Sequence, residues 1–336
     1  MAVRLRDVAA LAGVSVKTVS NVVNDFPHVS EATKAKVMAA IEESGYRPNL
    51  SARHLKYGRS GFIALAVPEL AIPYFAELAA KVDAAAARLG YIMLLEITRA
   101  DRQAERTVLE GVQSRMIDGI IFSPLSLDAE DLQTRDLEMP MVFLGERSIP
   151  DDVDHVAVDS VGAARAMTEH LISLGHRRIG AIGRHPGVST GSVRLKGYRA
   201  ALREAGLPVE PDLIMATENY SREEGRLAML QLLSLPEPPD AVFCFNDLMA
   251  IGALRACAER GVRVPEDVAV AGFDDSLEGR YTTPSLTSVT PDMDFLVDSV
   301  LRLLTRRIQS PGTPGEQVRV PWALVLREST LGRPAS

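Results

Sequence analysis

The pattern of apolar and polar positions changes character along the chain. At the N-terminus apolar residues recur at helical spacing in short bursts. Leu5, Val8, Leu11 and Ala12 form one stripe of a helix over 5–12, and Val19, Val22 and Val23 form the inner face of a second over 16–23. Gly13 lies between them, where the first helix must stop and the backbone takes positive φ at little cost. Ser15 is placed to cap the second helix. A small residue (Ala9), a glycine (Gly13) and a branched apolar residue (Val19), at successive offsets of four and six, give the spacing of a helix-turn-helix. A third helix runs from Glu31, capped by Ser30, to Ser44; it turns Ala35, Val37, Met38 and Ile41 inward and stops at Gly45.

From Phe62 the texture becomes that of strands alternating with helices. Apolar runs over 62–67, 91–97, 119–122 and 141–144 read as strands buried on both faces, with helices over 75–89 and 102–115 between them. A second set follows: strand 156–158, helix 162–174, strand 178–182, helices 192–205 and 222–233, strand 241–245, helix 247–259 and strand 268–271. The chain returns with a helix over 295–308 and a strand over 317–326. The expected fold is an all-α helix-turn-helix head followed by an α/β body of two doubly wound parallel-sheet lobes, whose cleft lies at the carboxyl ends of the strands.

Between head and body, 46–49 is a turn and 50–57 is rich in helix formers. A helix of about eight residues is shorter than the roughly 12–15 needed to persist alone in water, so it forms with a partner. Its small Ala52, apolar Leu55 and basic Arg53 and Lys56 suit a helix laid in a DNA minor groove, with an apolar wedge opening a base step. The expected domains are a DNA-binding head over 1–48, a hinge helix and linker over 49–60, and a two-lobed effector-binding and dimerisation domain over 61–330.

Charge at first points the other way. The 336 residues carry a formal net charge of -7, which taken whole argues against a polyanionic partner. The charge is uneven, however. Residues 1–60 hold nine Lys/Arg and five Asp/Glu, a net +4, which leaves -11 for the body. Two cysteines, Cys244 and Cys257, cannot make a disulfide framework and suit a reducing cytoplasm. No apolar run approaches the roughly 18 residues of a membrane span, and no apolar signal region follows Met1. The expected setting is the cytoplasm, on the nucleoid, with no membrane partner.

The candidate chemistry falls into two groups. On the second helix the outward positions are Val16, Lys17, Ser20 and Asn21. Lys17 and Asn21, four apart, share a face and carry donors that read guanine O6/N7 and adenine N6/N7, and Val16 suits a thymine methyl. In the body, Glu69 and Tyr74 follow the first strand, Arg194 follows the loop over 184–192, and Asn246 and Asp274 end strands. Arg with Asp and Asn is the chemistry that grips neighbouring hydroxyls, and Tyr74 and Tyr220 offer aromatic faces to a sugar or base. The competing readings are N-capping for Asn246 and Asp274 and a surface helix position for Arg194. Phosphate-cradling glycine motifs and metal-ligand spacings of His with Cys or Glu are absent from the sequence, so no enzyme, cofactor or metal is expected.

Leu5-Arg6-Asp7-Val8-Ala9-Ala10-Leu11-Ala12-Gly13-Val14-Ser15, Thr18-Val19-Ser20, Val29-Ser30-Glu31-Ala32-Thr33 and Gly45-Tyr46-Arg47-Pro48-Asn49 resemble the head of the lactose/galactose repressor family. Ala52 and Leu55 match its hinge. Asn246-Asp247, Gly272-Phe273-Asp274, Arg194-Leu195-Lys196-Gly197-Tyr198 and Arg327-Glu328-Ser329-Thr330 match its sensor, which is periplasmic-binding-protein-like. The resemblance implies a repressor that binds a pseudo-palindromic double-stranded operator as a homodimer under allosteric control by a small, sugar-like effector. It places DNA contacts on Ser15, Val16, Lys17, Thr18, Ser20, Asn21, Ala52, Leu55 and Lys56, with Leu55 as the minor-groove wedge. Many members carry Arg where this chain has Asn21. It places effector contacts on Arg194, Asn246 and Asp274, stacking on Tyr220, and lining roles on Glu69, Tyr74 and Thr190; Glu146 and Arg147 lie near an Asp-Arg pair that faces the ligand in relatives. The rival reading is a sugar-binding or sugar-processing α/β protein whose basic head serves some other partner.

Overall fold

The computed structural model describes residues 3–23, 26, 28–46, 59–110, 117–127, 131, 139–146, 149–150, 152–184 and 189–332. The chain divides into two compact units, residues 1–60 and 61–336. The expected hinge helix, with Ala52, Leu55 and Lys56, lies outside the described residues, as does Arg147.

The head packs helices α1 (Leu5–Ala12), α2 (Val16–Val23) and α3 (Glu31–Ser44) on a small core of Val8, Ala9, Val19, Val22, Val37 and Ala40. Gly13 takes φ 65°, closing α1 in the left-handed conformation that its missing side chain permits. The backbone N–H of Thr18 donates to Ser15 Oγ at 3.0 Å, and that of Thr33 donates to Ser30 Oγ at 3.4 Å, so both expected caps are made. Three inward assignments are corrected. Leu11 is 47% exposed and Met38 is 52% exposed; Ala35 is exposed too. The buried stripe of α1 runs through Val8 and Ala9, and that of α3 through Val37, Ala40 and Ile41. In a three-helix unit so narrow a stripe is all that each helix can cover, and a neighbouring position about 100° round the helix faces water.

The body opens with β1 (Phe62–Val67), α4 (Pro73–Arg88), β2 (Ile92–Ile97), α5 (Arg102–Leu109), β3 (Gly119–Phe122), β4 (Met141–Leu144) and β5 (Asp154–Val158). It continues with α6 (Ser160–Ser173), β6 (Ile179–Arg184), α7 (Ser189–Glu204), β7 (Ile214–Ala216), α8 (Arg222–Leu233), β8 (Ala241–Cys244), α9 (Asp247–Arg260) and β9 (Ala269–Phe273). It closes with α10 (Leu277–Arg280), β10 (Thr287–Pro291), α11 (Met293–Gln309), β11 (Gln317–Val320), β12 (Trp322–Val325) and α12 (Glu328–Leu331). Two six-stranded sheets result, in the orders β11-β5-β4-β3-β1-β2 and β12-β10-β9-β8-β6-β7. The first is parallel throughout; in the second β12 runs antiparallel to β10. Each sheet carries its helices and its own core, and the two cysteines are buried thiols of the second lobe.

The chain passes between lobes three times: from β5 to α6, from β10 to α11, and from β11 to β12. The last passage corrects the single strand expected over 317–326. Pro321 has no N–H to give a ladder, so the run breaks there and its halves join different sheets. A second correction concerns β2, expected to be buried on both faces. It is the edge strand of its sheet, and Ile92, Leu94 and Leu95 are exposed. The short β7, α10 and α12 carry too few residues for their periodicity to be read from sequence, and β10 has only Val289 as a long apolar residue among Thr, Ser and Pro.

Helices α8 and α9 cross through glycine on both sides. A Cβ on Gly225 would stand 2.2 Å from the Met249 carbonyl oxygen, and one on Gly252 would stand 1.9 Å from that of Arg222. Backbone cannot give way as a flexible side chain can. Gly252→Ala is expected to destabilise the body by about 1–3 kcal/mol, measured by urea unfolding, through forced separation of the two helices. An unchanged midpoint would show that the crossing relaxes freely.

Candidate functional site

Two surfaces carry the candidate chemistry. In the head, Val16 and Lys17 are exposed at the start of α2, and Ser20 and Asn21 lie half-buried one turn on. The Ser15 and Thr18 hydroxyls hydrogen-bond each other at 2.8 Å, so these two side chains build the cap that fixes where Val16 and Lys17 begin. All six expected head contacts thus fall on or beside one helix, with the apolar and basic pair at its free N-terminal end.

In the body, a cleft opens at the carboxyl ends of both sheets, and Arg194 on α7 is its centre. The residue is 7% exposed. Its Nη1 donates to the Phe245 carbonyl just past β8, and its Nη2 donates to Glu146 Oε1 at 2.9 Å and lies 3.6 Å from Asp274 Oδ1. Its Cζ stands 3.5 Å above the centroid of the Phe273 ring, a cation held on an aromatic face. Glu146 comes from the first lobe, at the end of β4, and accepts also from Ser160 Oγ at the start of α6 in the second. One carboxylate therefore bridges the lobes. Its Oε2 is buried with no hydrogen-bond partner among the described residues.

Asp274 follows β9 with φ 105°, and Asp275 follows it with φ 51°. Two successive non-glycine residues at positive φ need outside support. It comes from every side. The Asp274 N–H donates to the Val289 carbonyl at 2.9 Å, and the Asp275 N–H donates to Ser288 Oγ at 3.1 Å. The Ser276 N–H donates to Asp247 Oδ2 at 2.6 Å. Arg327 Nη2 and Arg280 Nη2 donate to the Asp275 carboxylate at 2.6 and 3.0 Å. The buried Asp247 also accepts from Ser288 Oγ at 2.6 Å, and a Cβ on Gly272 would stand 2.2 Å from its Oδ1.

Tyr74, Thr190 and Tyr220 line the same cleft, with Asn246 beside them. Asn246 is also the cap of α9: its Oδ1 accepts from the Met249 N–H at 2.9 Å, and its Nδ2 donates to the Tyr220 carbonyl at 3.1 Å. The capping reading of Asn246 therefore holds, and the same residue lines the cleft. Burial pushes the Tyr220 phenol up to about 12. Burial first, and then the charges of Asp274 and Glu146, hold Tyr74 well above its ordinary value. Both phenols therefore stay protonated donors. Six of the seven expected effector residues line the cleft; Glu69 does not, being exposed on the loop after β1. Sequence reasoning missed Phe273 as the platform under Arg194 and Ser160 as a partner of Glu146. Phe273 stood inside the quoted Gly-Phe-Asp motif, where an aromatic between glycine and aspartate was the available signal.

A helix-turn-helix head joined to a two-lobed α/β domain with a charged inter-lobe cleft defines a ligand-responsive DNA-binding regulator. The model of bacterial regulatory proteins of the lacI family matches residues 4–49, and that of the periplasmic binding protein-like domain matches residues 168–330. The HTH-type transcriptional regulator DegA of Bacillus subtilis (strain 168) is 34% identical, over 98% of each chain. The solved structure of the lac repressor dimer bound to operator and the anti-inducer ONPF superposes with a TM-score of 0.86 at 29% identity, covering 98% of this chain and 100% of that one. The complex of the transcriptional regulator CelR with cellobiose gives 0.72 at 34% identity, covering 97% and 99%. The chain belongs to the LacI family.

Burial, and after it the charge of Glu146 against the opposing Arg194, lifts Asp274 from an ordinary 3.8 to about 7. Burial lifts Asp247 to about 8. A carboxyl whose folded value is raised favours the folded state while it is protonated, and that contribution is lost as pH climbs through the folded value. The melting temperature of Asp274→Asn should therefore rise relative to the parent as pH increases from 5 to 8. A difference independent of pH would place the Asp274 carboxylate in contact with water.

Proposed function

We propose that this LacI-family chain is a transcriptional repressor that binds pseudo-palindromic operator DNA as a homodimer and responds to a sugar-like effector taken into the inter-lobe cleft. The head over 1–48 reads bases through Val16, Lys17 and Asn21, with Ser15, Thr18 and Ser20 positioning the helix on the backbone. Residues 49–60 form the hinge, with Leu55 as wedge and Ala52 and Lys56 beside it. Residues 61–330 form the effector-binding and dimerisation domain, in which Arg194, Asp274, Asn246, Tyr220, Tyr74 and Thr190 meet the ligand. A two-fold dimer matches the symmetry of the operator. The repressor works in the cytoplasm, on the nucleoid, and returns its ligand unchanged.

The observation that carries the ligand half of this reading is the buried Arg194, held by a backbone carbonyl and flanked by two carboxylates at the carboxyl ends of two sheets. Such a cluster can donate to and accept from vicinal hydroxyls. It also links the lobes, because Glu146 of one lobe bonds Arg194 and Ser160 of the other. A ligand that replaces those bonds changes the balance between lobe arrangements and so the ordering of the hinge, which is a coupling free energy between two sites.

Fluorescence anisotropy with a palindrome carrying a central C-G step tests the DNA half. Affinity should fall steeply with salt, and Lys17→Ala should weaken sequence preference; binding with neither preference nor salt slope refutes the reading. Leu55→Ala should weaken specific binding far more than nonspecific binding, and equal losses would remove the wedge. Asp274→Ala should leave operator affinity within about twofold while abolishing release or recruitment by any sugar that acts on the parent.

A further inference from the structure

We infer that Glu146 makes the cleft selective for uncharged ligands that donate hydroxyl hydrogens, and shuts out phosphorylated and carboxylated ones. This rests on the reading of the cleft as the effector site. Among the described residues three charged side chains line it: Arg194, Glu146 and Asp274, one cation against two carboxyl groups. The cation is already faced from both sides, by Glu146 Oε1 at 2.9 Å and Asp274 Oδ1 at 3.6 Å. A phosphate or carboxylate entering here gains no unshared positive charge from the described side chains. It meets the charge of Glu146, joined by that of Asp274 as pH rises past about 7, in a water-poor space where Coulomb repulsion is weakly screened.

The remaining hydrogen-bond capacity points the same way. Glu146 Oε2 is buried without a partner, an acceptor waiting for a donor. Arg194 Nε is buried without a partner too, a donor that suits a hydroxyl oxygen. A hydroxyl satisfies both, since it donates and accepts at once; an anion satisfies only the second and worsens the first. Glu146 also cannot withdraw without cost, because its bonds to Arg194 and Ser160 tie it to the opposite lobe. Removing its charge would leave Arg194 with Asp274 alone and reopen the cation to anions.

The test uses the full chain, inorganic phosphate as probe, and thermal shift as readout. Phosphate also meets the basic head, so every comparison is made against Arg194→Met, which removes the cleft cation only. The parent and Arg194→Met should show the same phosphate shift. Glu146→Gln should bind phosphate about tenfold more tightly than the parent, and Glu146→Gln with Arg194→Met should lose that gain. A parent shift larger than that of Arg194→Met would show that the cleft takes anions with Glu146 in place, and would overturn the proposal without any Glu146 variant. A folded Glu146→Gln, judged by a parent-like circular-dichroism spectrum and a cooperative melt, that gains nothing would also overturn it. The wider reading fails separately: it falls if neutral sugars bind with affinities that Arg194→Met and Asp274→Asn leave unchanged.

Discussion

A buried guanidinium must be compensated, and the arrangement of this cleft follows from that requirement at Arg194. Removing one partner of a buried ion pair typically costs about 3–5 kcal/mol, because the other charge is left stranded. Arg194 avoids this with groups from separate parts of the chain: a carbonyl past β8, the Phe273 ring and Asp274 at the end of β9, and Glu146 from the other lobe. Only the last of these crosses the cleft. The interaction that stabilises the cation is therefore also one that depends on how the lobes stand, and any ligand that competes for it acts on lobe arrangement directly.

The Asp274 loop shows how a strained position is kept. Residues at positive φ without glycine cost on the order of 1–3 kcal/mol each, and two stand in succession here. Asp247 and Ser288 fix the loop from beneath, and Arg327 fixes it from the segment before α12. This gives the Arg327-Glu328-Ser329 run a physical role. Arg327 reaches Asp275, Glu328 accepts from the Ser285 N–H at 2.8 Å, and Ser329 Oγ donates to the Val270 carbonyl at 2.6 Å. The turn at Glu328–Leu331 thus clamps the strand that presents Asp274. Gly272 belongs to the same device, since the space its side chain would take is filled by the Asp247 carboxylate.

Much of this was legible in the sequence, and the failures have identifiable causes. Caps and turns were legible because Ser15, Ser30 and Gly13 act through their own backbone neighbours. The strand-end residues Asn246 and Asp274, and Arg194 on the helix that follows β6, were legible because a doubly wound sheet brings the ends of its strands to one edge whatever the loops do. Leu11 and Met38 were misplaced because a helical stripe fixes a face only to within about one residue's rotation, and the partner decides the rest. The split at Pro321 was misread because apolar residues continue on both sides of it, and periodicity does not report which sheet a strand joins. Glu69 and Glu146 make the sharpest contrast. Both follow first-lobe strands, but one points to water and the other meets Arg194, and that depends on a three-dimensional pairing with the second lobe that spacing cannot encode.

Charge illustrates the same limit at larger scale. The sum of -7 is true of the chain and describes no surface of it. Screening confines electrostatic contact to about 8 Å at physiological salt, so a phosphate backbone senses the face it touches and not the total. The face offered by α2 carries Lys17 and no acidic residue from Val16 to Val23, within a head of net +4. The remaining -11 belongs to the body, where again only the charges within that reach of a contact decide it.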